Sequence, residues 1–334
     1  VLMNLGGPDS LDAVQPFLFN LFSDPAIFRL PNPFRWLLAK LVSRKRAHEA
    51  TQIYATLGGR SPIVPQTEAQ AKALDEALAD CGEFKSFIAM RYWHPMTAET
   101  VGKVKSWGAD RVILLPLYPQ FSTTTTASSI KAWREEAKRQ GLTADTQAYC
   151  CYPEKSGFVK AYARLIEETL GKTTQPPRLL FSAHGLPENV VKQGDPYQYQ
   201  VEQTVSAILK ELQKEMEAVI CYQSRVGPLT WIGPSTEEEI VRAGKEGKAV
   251  AIVPVAFVSE HSETLYELDI QYRELAQKSG VPEFTRIPAV TTHPLFIQAL
   301  KELCLEKTDQ EVTGAGGKRL CPERYGCCPC RIGA

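Results

Sequence analysis

Two stretches decide the fold: Arg178-Leu-Leu-Phe-Ser-Ala-His184-Gly-Leu-Pro187 and Val253-Pro-Val-Ala-Phe-Val-Ser-Glu260-His261-Ser-Glu263. Each is an apolar run, typical of a buried parallel strand, with ionisable side chains directly after it. Open α/β sheets build their sites at the carboxyl ends of such strands. Glu263, Glu267 and Gln271 follow at a spacing of four residues, which predicts a polar stripe along one helix face. A histidine facing a row of carboxylates suits chemistry that moves protons and a divalent cation.

Short strand-like runs alternate with longer helical segments along the whole chain, which is typical of doubly wound α/β folds. The predicted strands form two groups of four: 1–5, 86–92, 112–118 and 146–151, then 179–183, 218–222, 249–255 and 284–287. We therefore predict two similar parallel sheets in tandem, each flanked by helices. The predicted units are 1–155, 156–308 and a cysteine-rich extension, 309–334.

The composition excludes several classes of protein. A chain of 334 residues has room for two domains, and 44% hydrophobic with 23% charged residues is typical of globular proteins. Lys plus Arg equals Asp plus Glu at 38 each, so no overall charge favours nucleic acid as a partner. No apolar run reaches the roughly 18 residues of a membrane-spanning helix, and no signal peptide is recognised. We expect an intracellular, cytoplasmic protein.

Nine cysteines are present, and four of them crowd into the last fourteen residues: Cys321, Cys327, Cys328 and Cys330. A reducing compartment keeps cysteines as thiols, so a disulfide framework is not expected. Adjacent Cys327 and Cys328 should point in different directions, which leaves three tail ligands for one site. A four-thiolate site would take its fourth ligand from Cys150 or Cys151, at the end of the fourth strand. Zinc suits four thiolates as well as iron does, and a metal-free exposed tail is the third alternative.

Six segments carry a family resemblance: Asn4-Leu-Gly-Gly-Pro8, Leu57-Gly-Gly-Arg-Ser-Pro-Ile63, Tyr118-Pro-Gln-Phe-Ser122, Ser182-Ala-His-Gly-Leu-Pro187, Gln223-Ser-Arg-Val-Gly-Pro-Leu-Thr-Trp-Ile-Gly-Pro234 and Ser259-Glu-His-Ser-Glu-Thr-Leu-Tyr-Glu-Leu-Asp269. In order and spacing they resemble the ferrochelatases, which insert ferrous iron into a porphyrin. The resemblance implies two Rossmann-like domains around a porphyrin cleft, the chelatase fold. It also implies the terminal step of haem biosynthesis, with Fe²⁺ and protoporphyrin IX as substrates and haem b as product.

The same resemblance implies the roles of the ionisable residues. His184 resembles the family's catalytic histidine, which accepts a pyrrole proton or presents the metal, and Glu263 resembles the essential carboxylate across the ring. Glu260, His261 and Glu267 are implied as a metal relay behind this pair, on a helix that widens into π geometry. Asp269 is better explained as part of a solvated helix face. Gln271 departs from the family pattern, in which another carboxylate commonly ends the stripe, because an amide cannot carry a proton.

Five residues are implied as porphyrin-binding: Leu5, Phe22, Arg91, Tyr118 and Trp231. The aromatic residues would form walls, and Arg91 is a candidate partner for the propionates. The region from Phe17 to Leu41 matches an apolar lip over the cleft, and core helices could show the same pattern. Basic residues accompany this lip: Arg29, Arg35, Lys40, Arg44, Lys45 and Arg46. The combination predicts a peripheral membrane segment, at the inner face of the cell membrane, that Phe22→Ser and Phe28→Ser should release.

Some ferrochelatases carry a [2Fe–2S] cluster on a cysteine tail, and this chain resembles them. The resemblance favours Cys321, Cys328 and Cys330 with Cys151 or Cys150 as ligands. Alternatives remain open: a coproporphyrin III ferrochelatase, a cobalt- or nickel-inserting chelatase, and a non-catalytic haem or iron–sulfur binding protein. A homodimer is also allowed.

Overall fold

The computed structural model describes residues 1–28, 30–225 and 227–330, and within them all strands belong to two parallel sheets. The first sheet has the order β2-β1-β3-β4-β9, with β1 (Leu2–Asn4), β2 (Ile88–Met90), β3 (Arg111–Pro116), β4 (Asp145–Cys151) and β9 (Val312–Gly314). The second has the order β6-β5-β7-β8, with β5 (Arg178–His184), β6 (Ala218–Gln223), β7 (Val250–Pro254) and β8 (Phe284–Arg286). The eight strands predicted from the sequence are confirmed.

The first sheet differs from the prediction because it has a fifth strand. β9 comes from the stretch 309–334, which was predicted as a separate cysteine-rich extension without a strand, and it pairs with β4 in parallel, with Ala148 opposite Val312. It is only three residues long and lacks the apolar alternation that reveals a strand in a sequence. By covering the edge of β4, it attaches the cysteine tail to the first sheet. The division of the chain at residues 155 and 308 stays a prediction.

Helices surround both sheets. The α-helices are α1 (Val14–Ser23), α2 (Phe34–Thr56), α3 (Ile63–Leu78), α4 (Thr97–Trp107), α5 (Thr126–Gln140), α6 (Ser156–Leu170), α7 (Glu188–Lys192), α8 (Tyr197–Leu212), α9 (Thr236–Lys245), α10 (Tyr272–Lys278) and α11 (Pro294–Leu305). A π-helix spans Glu263–Gln271 and runs directly into α10, and a 3₁₀ turn follows β9 at Ala315–Gly317. Among the described residues, no helix combines the length and the apolarity that crossing a membrane requires.

The two sheets share one apolar core. Leu2 and Leu115 of the first sheet belong to the same buried cluster as Phe181 and Val253 of the second. Polar contacts bring the carboxyl ends of β1 and β7 together, because Asn4 Nδ2 lies 3.5 Å from the Oγ atom of Ser259, which follows β7. The strand ends of both halves therefore meet, as the shared cleft in the prediction required.

Candidate active site

The centre of the site is a contact between His184 and Glu263. His184 is the last residue of β5, an inner strand of its sheet, and Glu263 is the first residue of the π-helix. His184 Nδ1 and Glu263 Oε2 are 2.9 Å apart. The side chains keep 42% and 31% of their surface exposed, so solvent and small molecules can reach the pair.

The electrostatics of this pair favour an ionised carboxylate. Burial alone would raise the pKa of Glu263, but the charge and hydrogen bond of His184 outweigh it and lower that pKa to about 2. Burial likewise opposes a charge on His184, and the Glu263 carboxylate overcomes it, so the pKa of His184 is raised. Because Glu263 is ionised near neutral pH, Nδ1 of His184 carries the hydrogen and donates it to Oε2.

His261 supports the start of the π-helix. Its Nδ1 atom accepts a hydrogen bond from the Glu263 backbone N at 3.0 Å, and its own backbone N donates to Thr264 Oγ1 at 2.9 Å. Burial lowers the pKa of His261, although Glu263 and Glu260 oppose this. A neutral His261 can accept the Glu263 N–H, which fixes the backbone that carries the carboxylate.

Glu260 has internal partners. Its Oε1 atom accepts hydrogen bonds from Arg286 Nη1 at 2.8 Å and from Ala289 N at 3.0 Å, and the residue is only 7% exposed. Asp269 accepts from Arg273 and from the same Arg286, at 2.6 and 3.1 Å. We expected a solvated helix face at Asp269, whereas the structure shows an ion pair that ties the π-helix to β8.

Glu267 lies one turn further along the π-helix in a ring of donors. Its carboxylate accepts from Ser224 N at 2.8 Å, Ser224 Oγ at 2.6 Å, Gln223 Nε2 at 3.2 Å and Tyr272 OH at 3.1 Å. Burial and the nearby Glu263 charge raise the pKa of Glu267, against the Ser224 hydrogen bonds. Ser224 can aim its N–H at the carboxylate because it adopts a left-handed conformation with φ +59°. At the far end, Gln271 is exposed.

Comparisons with known proteins identify the family of this chain. The family model described as ferrochelatase matches residues 1–308. The chain is 52% identical to the ferrochelatase of Caulobacter vibrioides over 342 residues, covering 100% of this chain and 97% of the relative. It is also 47% identical to the ferrochelatase of Pelagibacter ubique, covering 99% and 97%. The chain belongs to the ferrochelatase family. It is a metal chelatase.

A solved structure, SirB from Bacillus subtilis with Fe³⁺, resembles this chelatase with a TM-score of 0.54 at 17% identity, covering 72% of this chain and 89% of that one. At this identity the likeness shows the fold alone. It agrees with the predicted chelatase fold of two parallel sheets flanked by helices.

Three residues near the His184–Glu263 pair were not predicted from the sequence. Tyr54 of α2 places its OH atom 3.4 Å from Ser262 Oγ, and burial, with the Glu263 charge, raises its pKa to about 12. Ser224 and Tyr272 hold Glu267. Ser224 lies inside a quoted motif, so the signal was present, but Tyr54 reaches the site only through tertiary packing.

The predicted walls occupy different depths. Trp231 packs on the turn after His184, because a Cβ atom added to Gly185 would be only 3.3 Å from its ring. Leu5 follows β1 and is partly buried, and Tyr118 follows β3 and is buried. Phe22 is also buried and stacks on Phe28 at 5.4 Å.

Arg91, the candidate propionate partner, already has partners within the protein. Its Nη2 atom lies 2.7 Å from Asp24 Oδ2 and its Nε atom donates to Ser128 Oγ at 2.9 Å. Asp24 also accepts from Tyr92 OH at 2.9 Å. Arg91 thus joins β2, the end of α1 and the start of α5.

The cysteines of the tail converge on the end of β4. A buried cluster contains Cys150, Cys151, Cys321, Cys328 and Cys330 together with Phe121. The Sγ atom of Cys150 is 3.1 Å from that of Cys330 and 3.5 Å from that of Cys151. Hydrogen bonds from Cys321 and Cys330 lower the pKa of the Cys328 thiol. Cys327 is more exposed and bonds Gln193 O at 3.4 Å, so the adjacent pair does diverge.

The tail backbone is organised around Arg319. Its guanidinium donates to the carbonyl oxygens of Cys321 at 2.9 Å, Cys330 at 3.2 Å and Tyr325 at 2.9 Å. These bonds bring both ends of the cysteine segment to one point. Within residues 1–28, 30–225 and 227–330, no group of three or more His, Cys, Asp or Glu side chains has the arrangement of a metal site.

Proposed function

We propose that this chain inserts ferrous iron into protoporphyrin IX and releases protohaem, haem b. The observation that carries the proposal is the His184–Glu263 pair, 2.9 Å apart at the strand ends where the two sheets meet. A porphyrin must lose two pyrrole protons before it holds the dication, so the site needs a base beside the ring. Iron is the substrate metal, and it leaves in the product.

The roles of the residues follow from their hydrogen bonds. Because Nδ1 of His184 donates to Glu263, Nε2 is the nitrogen that can accept a pyrrole proton. The ionised Glu263 stabilises the imidazolium that then forms. Glu267, whose pKa is raised, can hold a proton further along the π-helix. His261 keeps Glu263 in position, and Glu260 anchors the same segment through Arg286. Leu5, Tyr118 and Trp231 enclose the ring, and Phe22 and Arg91 support that wall.

The test is a metalation assay with Fe²⁺ under anaerobic conditions, and with Zn²⁺ by porphyrin fluorescence. We expect His184→Ala and Glu263→Gln to lower turnover by about 100- to 10,000-fold, the usual worth of a positioned base, while the fold is kept. Glu274→Gln is the matched control, because Glu274 is an exposed carboxylate of α10 that pairs with Lys278. Near-normal turnover in either site variant would refute the assignment. If coproporphyrin III is metalated faster than protoporphyrin IX, the proposed roles of the residues stand but the substrate is coproporphyrin III.

We also propose that the tail carries a [2Fe–2S] cluster, held by Cys321, Cys328 and Cys330 with Cys151 or Cys150. The observation that supports this proposal is that these five thiols are buried in one cluster at the end of β4. Gly314 of β9 lies beside two of these thiols, because a Cβ atom there would be 3.6 Å from both Cys151 Sγ and Cys330 Sγ. Metal insertion needs no electron transfer, so the cluster would be structural or sensing.

Iron and sulfide analysis with an absorption spectrum tests the cluster. We expect a reddish protein with equal amounts of iron and sulfide. Cys328→Ser and Cys321→Ser should bleach it and lower the thermal stability. Cys327→Ser is the matched control and should keep the colour, since its side chain bonds Gln193. Bound zinc in a colourless protein would refute the cluster but keep the thiolate site.

Finally, we propose peripheral binding to a membrane through α2. Its outward side chains are among the most exposed large apolar residues described: Phe34 at 66%, Trp36 at 49%, Leu37 at 52% and Leu41 at 57%. Lys40 lies over Trp36 at 4.7 Å, which places a cation beside the apolar surface. Serine at Phe22 and Phe28 is no longer expected to release the protein from a membrane, because these rings pack against each other inside the lip. Arg29 lies outside the described residues, and a homodimer remains a prediction.

A further inference from the structure

One side chain of α8 joins the cysteine tail to the predicted porphyrin wall. Gln200 is fully buried, with 0% of its surface exposed. Its Oε1 atom accepts a hydrogen bond from Phe121 N at 2.7 Å, and its Nε2 atom donates to Cys321 Sγ at 3.0 Å. Phe121 lies between Tyr118 and Ser122, in the segment that follows β3. A single amide therefore contacts the wall segment on one side and a tail thiol on the other.

A buried carboxylate makes a second connection between α8 and the same wall segment. Asp195, with 0% exposure, accepts through Oδ2 from Ser122 Oγ at 3.0 Å and from Thr123 N at 2.7 Å. Its Oδ1 atom accepts from Tyr197 N at 3.0 Å, in the first turn of α8. The start of α8 and the wall segment are thus held together.

The tail contacts this connection too. Cys327 N donates to Gly194 O at 3.2 Å, directly before Asp195. Gly194 has φ +101°, and a Cβ atom there would lie 3.0 Å from Gly326 N. Only glycine allows this close approach, so the tail is fitted to the loop that begins α8.

The same helix reaches the catalytic histidine. Tyr197 lies three residues before Gln200, which puts both side chains on one face of α8. Burial raises the pKa of the Tyr197 phenol, and the nearby backbone of His184 opposes that rise, so the phenol lies beside the histidine. One helix face therefore contacts His184, the wall segment and Cys321.

We propose that Gln200 is a positioning residue that couples the cysteine site to the porphyrin cleft. The inference rests on the proposed function, which makes the segment from Tyr118 to Ser122 a porphyrin wall and the tail a thiolate site. A porphyrin packed against this segment displaces the Phe121 N–H, and through Gln200 this alters the hydrogen bond to Cys321. Because coupling between two binding sites is reciprocal, the state of the thiolate site changes porphyrin affinity by the same factor. A hydrogen bond to a ligating sulfur also shifts a cluster's reduction potential.

The first test is a redox titration of the cluster, followed by electron paramagnetic resonance, with and without protoporphyrin under iron-free conditions. In the wild type, porphyrin should change the reduction equilibrium by about fivefold, the low end of measured site couplings. Gln200→Met keeps the shape but removes both hydrogen bonds, so the porphyrin effect should vanish. Gln70→Met is the matched control: Gln70 is also fully buried and donates to Val258 O and Thr291 O, away from the tail. An equal porphyrin effect in Gln200→Met, or none in the wild type, would overturn the proposal.

A second test does not need the cluster. In metal-stripped protein, the alkylation rate of Cys321 is followed by mass spectrometry with and without protoporphyrin. Porphyrin should slow the alkylation of Cys321 about fivefold in the wild type and in Gln70→Met. In Gln200→Met the alkylation rate should be the same with and without porphyrin. If Gln200→Met does not fold, Gln200→Asn replaces it, because the shorter amide cannot reach both partners. A wild type without iron and sulfide would refute the cluster alone, and this second test would then decide the role of Gln200.

Discussion

Replacing Phe34, Leu37 and Leu41 by serine tests whether α2 meets a lipid bilayer. These side chains are 66%, 52% and 57% exposed, so their loss leaves little cavity in the core. Full burial of a Phe or Leu side chain is worth about 1.5–3 kcal/mol. Only the exposed part can gain by entering the interface, which gives about 1–1.5 kcal/mol each and about 3–4 kcal/mol together. The triple variant should therefore bind vesicles about 100- to 1,000-fold more weakly.

Sedimentation with vesicles that contain anionic lipid measures this binding. The control is Phe28→Leu, which keeps an apolar side chain against Phe22 inside the lip and should leave partitioning unchanged. Binding should also weaken with salt, because basic residues such as Arg35 and Lys40 lie beside the apolar surface. Turnover on a detergent-solubilised porphyrin should be kept in the triple variant. Unchanged partitioning of a folded triple variant would show that this surface does not meet lipid.

Two further predictions concern the His184–Glu263 pair. Glu263→Gln should lower the pKa of His184, because the carboxylate is what raises it. An NMR titration of the five histidines measures the change, with His184→Ala to assign the signal. An unchanged pKa of His184 would mean that the pair is not coupled. The difference in the free energy of unfolding between the wild type and Glu263→Gln should be largest between about pH 4.5 and 6.5. The lowered pKa of Glu263 stabilises the folded state above pH 4.5, and the raised pKa of His184 stabilises it below pH 6.5. Urea unfolding across that range tests it, and a gap independent of pH would contradict the assigned ion pair.

The strands and the residues at their ends could be predicted from the sequence because both signals are local. An apolar run followed by Ser-Ala-His184 or by Glu260-His261-Ser-Glu263 indicates where the strand ends, and only neighbouring residues in the sequence are needed to recognise it. The partners of these residues are a different matter. Glu260 pairs with Arg286 and Tyr54 approaches Ser262, and such pairs depend on how separate elements pack. No spacing in the chain encodes them.

The lip shows the same limit at the level of a helix face. In α2, basic residues interrupt the apolar ones on every side, so its sequence has no clear apolar stripe. The pattern therefore indicated an interfacial segment but could not say which rings face outward. Packing of α2 on α1 decides this: Phe22 and Phe28 stack within the lip, while Phe34 and Leu41 stay exposed. Burial against a neighbour removes a side chain from any membrane contact, so the outward residues of α2 are the ones that lipid can reach.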